Sequence, residues 1–279
     1  MRIQITHRTC YNYEPPAARV ALRLRLFPSN FDGQTPVSWT VDINEEAIEP
    51  LFTDGFGDQI GLWHVRTPCE RVEIRAAGVI DTVDKSGVVT GLPRRPPTGV
   101  FLRSTALTES NDALKDLTSP IISENELDRM HALSEAIENA IEYRKGSTTS
   151  ETSAADVLEE KAGVCQDFAH VFIAAARQLG TPARYISGYL LTADDQDELF
   201  ETHAWAEAFV KGLGWVGFDP SNGMCPTDRY VRLSCGLDAN FAAPIRGAIS
   251  SESKVELEAH VEIAPAEDSI SEGGQSQQQ

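Results

Sequence analysis

The sequence predicts an α+β fold: an N-terminal antiparallel β-sandwich-like domain, followed by a domain in which helices pack on an antiparallel sheet. Three observations carry this reading. Up to about residue 90, apolar and polar residues alternate with period two in short runs broken by turn clusters. Beyond residue 110 the apolar spacing lengthens to three and four before alternating runs return. At 279 residues the chain is long enough for two hydrophobic cores.

In order along the chain, "RIQIT", "RVALRLRLF", "SWTVDI", "QIGLWHV" and "RVEIRAAGVI" read as strands, separated by "PSNFDG", "TDGFGD" and "TPC". They delimit a β domain over residues 1–92. "TGLPRRPPTG" concentrates proline and glycine and reads as the start of a linking segment, 93–110. The second domain, 111–264, opens with helices. Ser123-Glu124-Asn125-Glu126 has the spacing of a capping box, and Leu127, Met130, Leu133, Ile137 and Ile141 form one apolar face. Gly146 is the expected stop of that helix. A shorter helix is expected across "SAADVLEE". A third, "CQDFAHVFIAAARQL", is apolar on most faces, as a central buried helix must be, and Gly180 and Pro182 terminate it. "ARYISGYLL", "THAWAEAFV" and "GWVGFD" are strands, the last two joined by the tight "KGLG". "KVELEAHVEI" reads as an edge strand. The tail 265–279 is too polar to bury and is expected to be disordered.

Charge and composition exclude several functions. The net charge is −18, and nearly all of it falls after residue 100, where 13 basic side chains face 30 acidic ones. Such a surface repels nucleic acid and anionic membrane, so neither is an expected partner. The opening "MRIQITHRTCYNY" lacks the apolar run of a signal peptide, and a cytoplasmic location is expected. Five cysteines, 10, 69, 165, 225 and 235, are scattered without a Cys-x-x-Cys pair, which argues against a disulfide framework and a structural zinc site. No metal or cofactor is expected. The loop "TADDQDELFET" is rich in carboxylates but matches no calcium-loop spacing, and reads as a solvated flap.

Cys165 is the first residue of the apolar helix, where unpaired backbone N–H groups and the helix dipole favour an anion. On its own, a lone cysteine is more often packing than nucleophile. Two further residues change that balance. His203 opens the strand "HAWAEAFV" and Asp219 closes "GWVGFD", so a hairpin through Lys211–Gly214 brings their outer ends side by side. The strand register decides whether they share a face, and a bulge at a glycine is one way to bring them together. Cys, His and Asp are the parts of a thiol acyl-transfer site: nucleophile, proton carrier and orienting acid. His170, five residues past Cys165, points away from the sulfur and reads as a core histidine. Asp167 is expected to bind backbone at the helix start, and Glu207 to pair with Arg184 across strands. Trp205 and Trp215, beside the His and Asp positions, are equally readable as substrate-groove walls or as core.

The blocks "GVCQDFAHVFIAAARQLGTPARYISGYL", "HAWAEAFV" and "GWVGFDPSNG" resemble the core of bacterial transglutaminase-like proteins, within the papain-like superfamily of thiol enzymes. "ITHRTCYNY", "ALRLRLFPSN" and "DGFGD" resemble the β domain that accompanies this core in bacteria; the family commonly has Asn where this chain has Asp58. By position, the resemblance assigns the nucleophile to Cys165, the base to His203 and the orienting acid to Asp219. It implies an oxyanion hole that uses the Cys165 backbone N–H, with Gln166 a weaker candidate for support. The implied substrate is a peptide or protein amide. Hydrolysis would make the protein a cysteine peptidase or amidase, and a primary amine acceptor would make it a transglutaminase. Hydrolysis is the favoured expectation, and a non-catalytic binding module on the same fold is the rival.

Overall fold

A computed structural model describes residues 1–92, 96–192, 202–249 and 252–266. The carboxylate-rich loop (193–201) and the polar tail from residue 267 lie outside the described residues, whereas Pro265 and Ala266, expected at the start of the disordered tail, are held by pairing with Ile3 and by a bond to the Arg2 carbonyl.

The first part of the chain forms β1 (Arg2–Ala17), β2 (Val20–Leu24), β3 (Gln34–Ile43), β4 (Glu46–Ala47), β5 (Phe52–Thr53), β6 (Gln59–Val65), β7 (Cys69–Thr82) and β8 (Val88–Val89). The second part adds α1 (Asp112–Thr118), α2 (Glu126–Ala140), β9 (Glu142–Tyr143), α3 (Ala154–Glu160), β10 (Ala162–Gly163) and α4 (Cys165–Gln178). It continues with β11 (Ala183–Leu190), β12 (His203–Val210), β13 (Gly214–Phe218), β14 (Tyr230–Gly236), α5 (Ala239–Ala242), β15 (Ile245–Ile249) and β16 (Lys254–Pro265).

Two sheets make the N-terminal sandwich, in the orders β16-β1-β7-β3-β4 and β15-β2-β6-β5. Alternation along each strand supplies the filling: Ile3 and Ile5 of β1, Val41 and Ile43 of β3, Leu22 and Leu24 of β2 all enter one core. The division at residue 111 does not describe how the chain closes. β15 pairs with β2, and β16 pairs with β1 along its whole length, from Glu14↔Lys254 to Ile3↔Pro265. The expected edge strand is therefore an edge of the first sheet, not part of the 111–264 unit. Its apolar face explains this, because Val261 and Ile263 complete the sandwich core.

The second sheet runs β14-β11-β12-β13-β8, with α4 packed on it. Every residue of α4 from Asp167 to Arg177 is buried. Ala204, Ala206 and Ala208 of β12 face this helix in the same core, and small side chains there let helix and sheet approach closely. α2 packs Met130, Leu133 and Ile137 against them. On the other face Glu207 binds Arg184 and Arg232, with Nε–oxygen distances of 2.6 and 3.0 Å.

Two helix limits differ from the sequence reading. The N-cap of α2 is Asn125, whose side chain accepts from the N–H groups of Leu127 and Asp128, while Ser123 only bonds Asn125 backbone. The helix ends at Ala140 rather than near Gly146, because Glu142 and Arg144 donate their backbone N–H groups to Lys161 and Gly163 in the β9–β10 pair. Within the linking segment, Phe101 is fully buried with its ring 5.0 Å from that of Trp215, and Arg177 Nε donates to its carbonyl at 2.9 Å.

Candidate active site

Cys165 is the first residue of α4, held there by its neighbours. Asp167 Oδ2 accepts from the Val164 N–H at 2.8 Å and from Thr148 Oγ1 at 2.6 Å, which ties the helix start to the preceding loop. Burial, opposed by those two hydrogen bonds, raises the carboxyl of Asp167 above its ordinary value. Gly163 is required here: a Cβ would sit 2.8 Å from that of Asp167.

The hairpin register decides the geometry of the other two residues. β12 and β13 pair without a bulge from Val210↔Gly214 to Ala206↔Phe218. Extended outward, this register sets His203 diagonally from Asp219, on the same face, so no irregularity at a glycine is needed. His203 Nε2 lies 2.6 Å from Asp219 Oδ2, and Cys165 stands near enough to the ring to favour its protonated form. With Nε2 committed to Asp219, Nδ1 is the nitrogen left for the sulfur.

Asp219 is nearly buried and accepts from several donors. Oδ2 receives Asn222 Nδ2 at 2.7 Å and Tyr230 Oη at 2.8 Å, and Oδ1 receives Ser221 Oγ at 2.6 Å. Burial alone would raise its pKa, but the His203, Ser221 and Asn222 bonds hold the carboxyl below the usual range. For His203 burial works against charge, and the bond to Asp219 and the nearby Cys165 outweigh it, pushing the imidazole up to about 10. The ring is therefore a cation at neutral pH.

A cleft of about 400 Å³ opens over these groups, and Cys165, Gln166, Tyr185 and His203 line one side. The opposite wall is the first sandwich sheet, through β1 and β16. Trp205 and Trp215 do not line this cleft. Trp205 packs in the core beneath the His203 ring, centroids 6.2 Å apart, and Trp215 packs in the same cluster under the Arg184 guanidinium at 4.0 Å. Of their two sequence readings, the core one describes them. His170 is buried, its Nε2 accepts from the Ala239 N–H at 3.1 Å, and burial lowers it to about 4, so it is neutral.

Sequence reasoning missed the donors around Asp219 and the contribution of the first domain. Ser221 and Asn222 were legible as an Asx-type turn in "DPSN", two and three residues past Asp219. Tyr230, His7 and Tyr185 carry no local signal, since each arrives on a different strand. Asp58 was visible as a departure from the family pattern. It is buried, accepts from the Cys235 N–H at 2.8 Å, and is pushed up to about 6 chiefly by burial.

Comparison with known proteins agrees with this architecture. Residues 115–220 match the model of the transglutaminase-like superfamily, and residues 3–81 that of the bacterial transglutaminase-like N-terminal region. An uncharacterized protein of Mycobacterium tuberculosis is 30% identical, over 95% of this chain and 93% of its own. One from Mycobacterium leprae is 28% identical, over 94% and 98%. The crystal structure of a protein from Cytophaga hutchinsonii, described as a "putative cysteine protease", superposes with a TM-score of 0.75 at 26% identity, covering 96% of this chain and 91% of that one. Among the described residues no helix is long and apolar enough to cross a membrane. With both its β domain and its helix-and-sheet core matched in order, the chain belongs to the bacterial transglutaminase-like family.

Proposed function

We propose that the protein is a thiol acyl-transfer enzyme that hydrolyses an amide, with Cys165 as nucleophile, His203 as proton carrier and Asp219 as orienting acid. The observation that carries this is the 2.6 Å contact of His203 with Asp219, made beside a cysteine at a helix N-terminus in an open cleft. The sulfur anion attacks the amide carbonyl, and the oxygen gathers negative charge near the Cys165 backbone N–H, which has no partner within the helix. Gln166 and Tyr185, which line the same cleft, are the candidates for a second donor. His203 gives its proton to the leaving nitrogen, the C–N bond breaks, an amine departs and a thioester remains. The neutral imidazole then takes a proton from water as its oxygen attacks the thioester. The C–S bond breaks, a carboxylic acid leaves and the thiolate–imidazolium pair is restored. Asp219 holds the ring orientation through both halves.

The hydrolytic outcome is supported by the Cytophaga hutchinsonii likeness, which exceeds 25% identity over nearly the whole of both chains. Five free thiols accord with a reducing compartment, and we place the protein in the cytoplasm. The test is incubation with a glutamine-containing peptide, with and without a labelled primary amine. Cys165-dependent release of ammonia or peptide fragments is expected. Incorporation of the amine would make the protein a transglutaminase instead, and no Cys165-dependent product from any peptide would leave a binding module.

A further inference from the structure

The wall of the cleft opposite Cys165 belongs to the first domain and to the returning C-terminal strand. On β1, His7, Thr9 and Tyr11 face the cleft, and β16 sets Val261, Ala259 and Leu257 directly across from them. The alternation that drives Ile3 and Ile5 into the sandwich core thus continues outward as the roof of the candidate active site. No Asp, Glu, Lys or Arg is among the described residues lining the cleft, although these four types make up 24% of a chain with net charge −18. His7 is neutral at pH 7, lowered to about 4 by burial, with Nδ1 2.9 Å from Tyr189 Oη and Nε2 3.1 Å from Thr9 Oγ1. Leu257 is 59% exposed at the mouth of the cleft, with Val255 43% exposed beyond it on the same face of the strand, while Glu256, Glu258 and Glu262 take the other face. From Leu257 to Val261 the strand spans about 13 Å, the length of about four extended residues.

We infer that the β1–β16 face selects the substrate: an extended peptide whose side chain next to the scissile amide is uncharged and apolar and rests on the exposed Leu257 and Ala259. This rests on the reading of Cys165 as the nucleophile below that face. A charged side chain resting on this face would leave water for strands that present no Asp, Glu, Lys or Arg to the cleft, whereas an apolar one gains by covering Leu257.

The test measures alkylation of Cys165 in the full chain by chloroacetyl dipeptide amides, chloroacetyl-Xaa-Ala amide with Xaa Leu, Lys or Asp. Each rate is read by mass spectrometry and divided by the chloroacetamide rate of the same variant. The Leu reagent should be about tenfold faster than both charged ones. Leu257→Lys should reduce that advantage and raise Asp over Lys, while Ala259→Asp should raise Lys over Asp. A fastest Lys reagent, as the net charge alone would produce, overturns the inference. So does the absence of any side-chain preference, or a preference that neither substitution moves. Failure of the catalytic reading shows separately, as a chloroacetamide rate at Cys165 no faster than at Cys69 and indifferent to His203→Ala.

Discussion

At the scale of single residues the account turns on one proton, held by His203 between Asp219 and Cys165. An imidazole with its folded value near 10, against about 6.5 unfolded, binds its proton more tightly in the native state. The stabilisation it contributes is fully present below pH 6.5 and is lost as pH rises through about 10. Asp219→Asn keeps the shape but removes the charge that sustains the cation, so the His203 titration, followed by its Cε1 proton in NMR, should fall by about 1–3 units. The same substitution should lower kcat by about 10²–10⁴-fold, measured on whichever amide the wild type hydrolyses. An unchanged titration in Asp219→Asn would show that Asp219 does not set the ring's charge.

At the scale of elements, the site depends on where α4 begins. Asp167→Ala removes the acceptor of the Val164 N–H and should cost about 0.5–2 kcal/mol in urea unfolding. Because the frayed turn carries Cys165, activity should fall further than stability does. Glu207→Ala is the contrasting case: it leaves Arg184 and Arg232 buried without the carboxylate that bridges them and should destabilise by about 3–5 kcal/mol. These elements were largely legible in the sequence. The apolar run from Phe168 to Ala176 announced a central helix, and the spacing of His203 and Asp219 about a tight turn announced a hairpin. What the residues alone left open was parity, since one residue of register separates a shared face from opposite faces. The start of α2 was misread because Ser123 and Asn125 both cap well, and the end because β9 and β10, two residues each, are too short to show a period.

At the scale of the molecule, the chain returns on itself. β15 and β16 leave the helix-and-sheet core and close the N-terminal sandwich, a long-range pairing for which the sequence near residue 254 holds no sign beyond alternation. One consequence is that the β domain is a wall of the candidate active site rather than an appendage. Removing residues 254–266 strips β1 of one of its two partner strands and takes Val261 and Ile263 out of the core that Ile3 and Ile5 fill. The shortened protein should lose its cooperative thermal transition or aggregate, where an independent 111–264 unit would leave residues 1–92 folded. The central claim, that Cys165 is an activated nucleophile served by His203, is tested most directly by the rates at which iodoacetamide modifies each cysteine at pH 7 in the wild type and in His203→Ala. The account predicts that Cys165 reacts about tenfold or more faster than Cys69 and Cys225, and that His203→Ala abolishes the difference. A Cys165 rate equal to theirs, unmoved by His203→Ala, would contradict it.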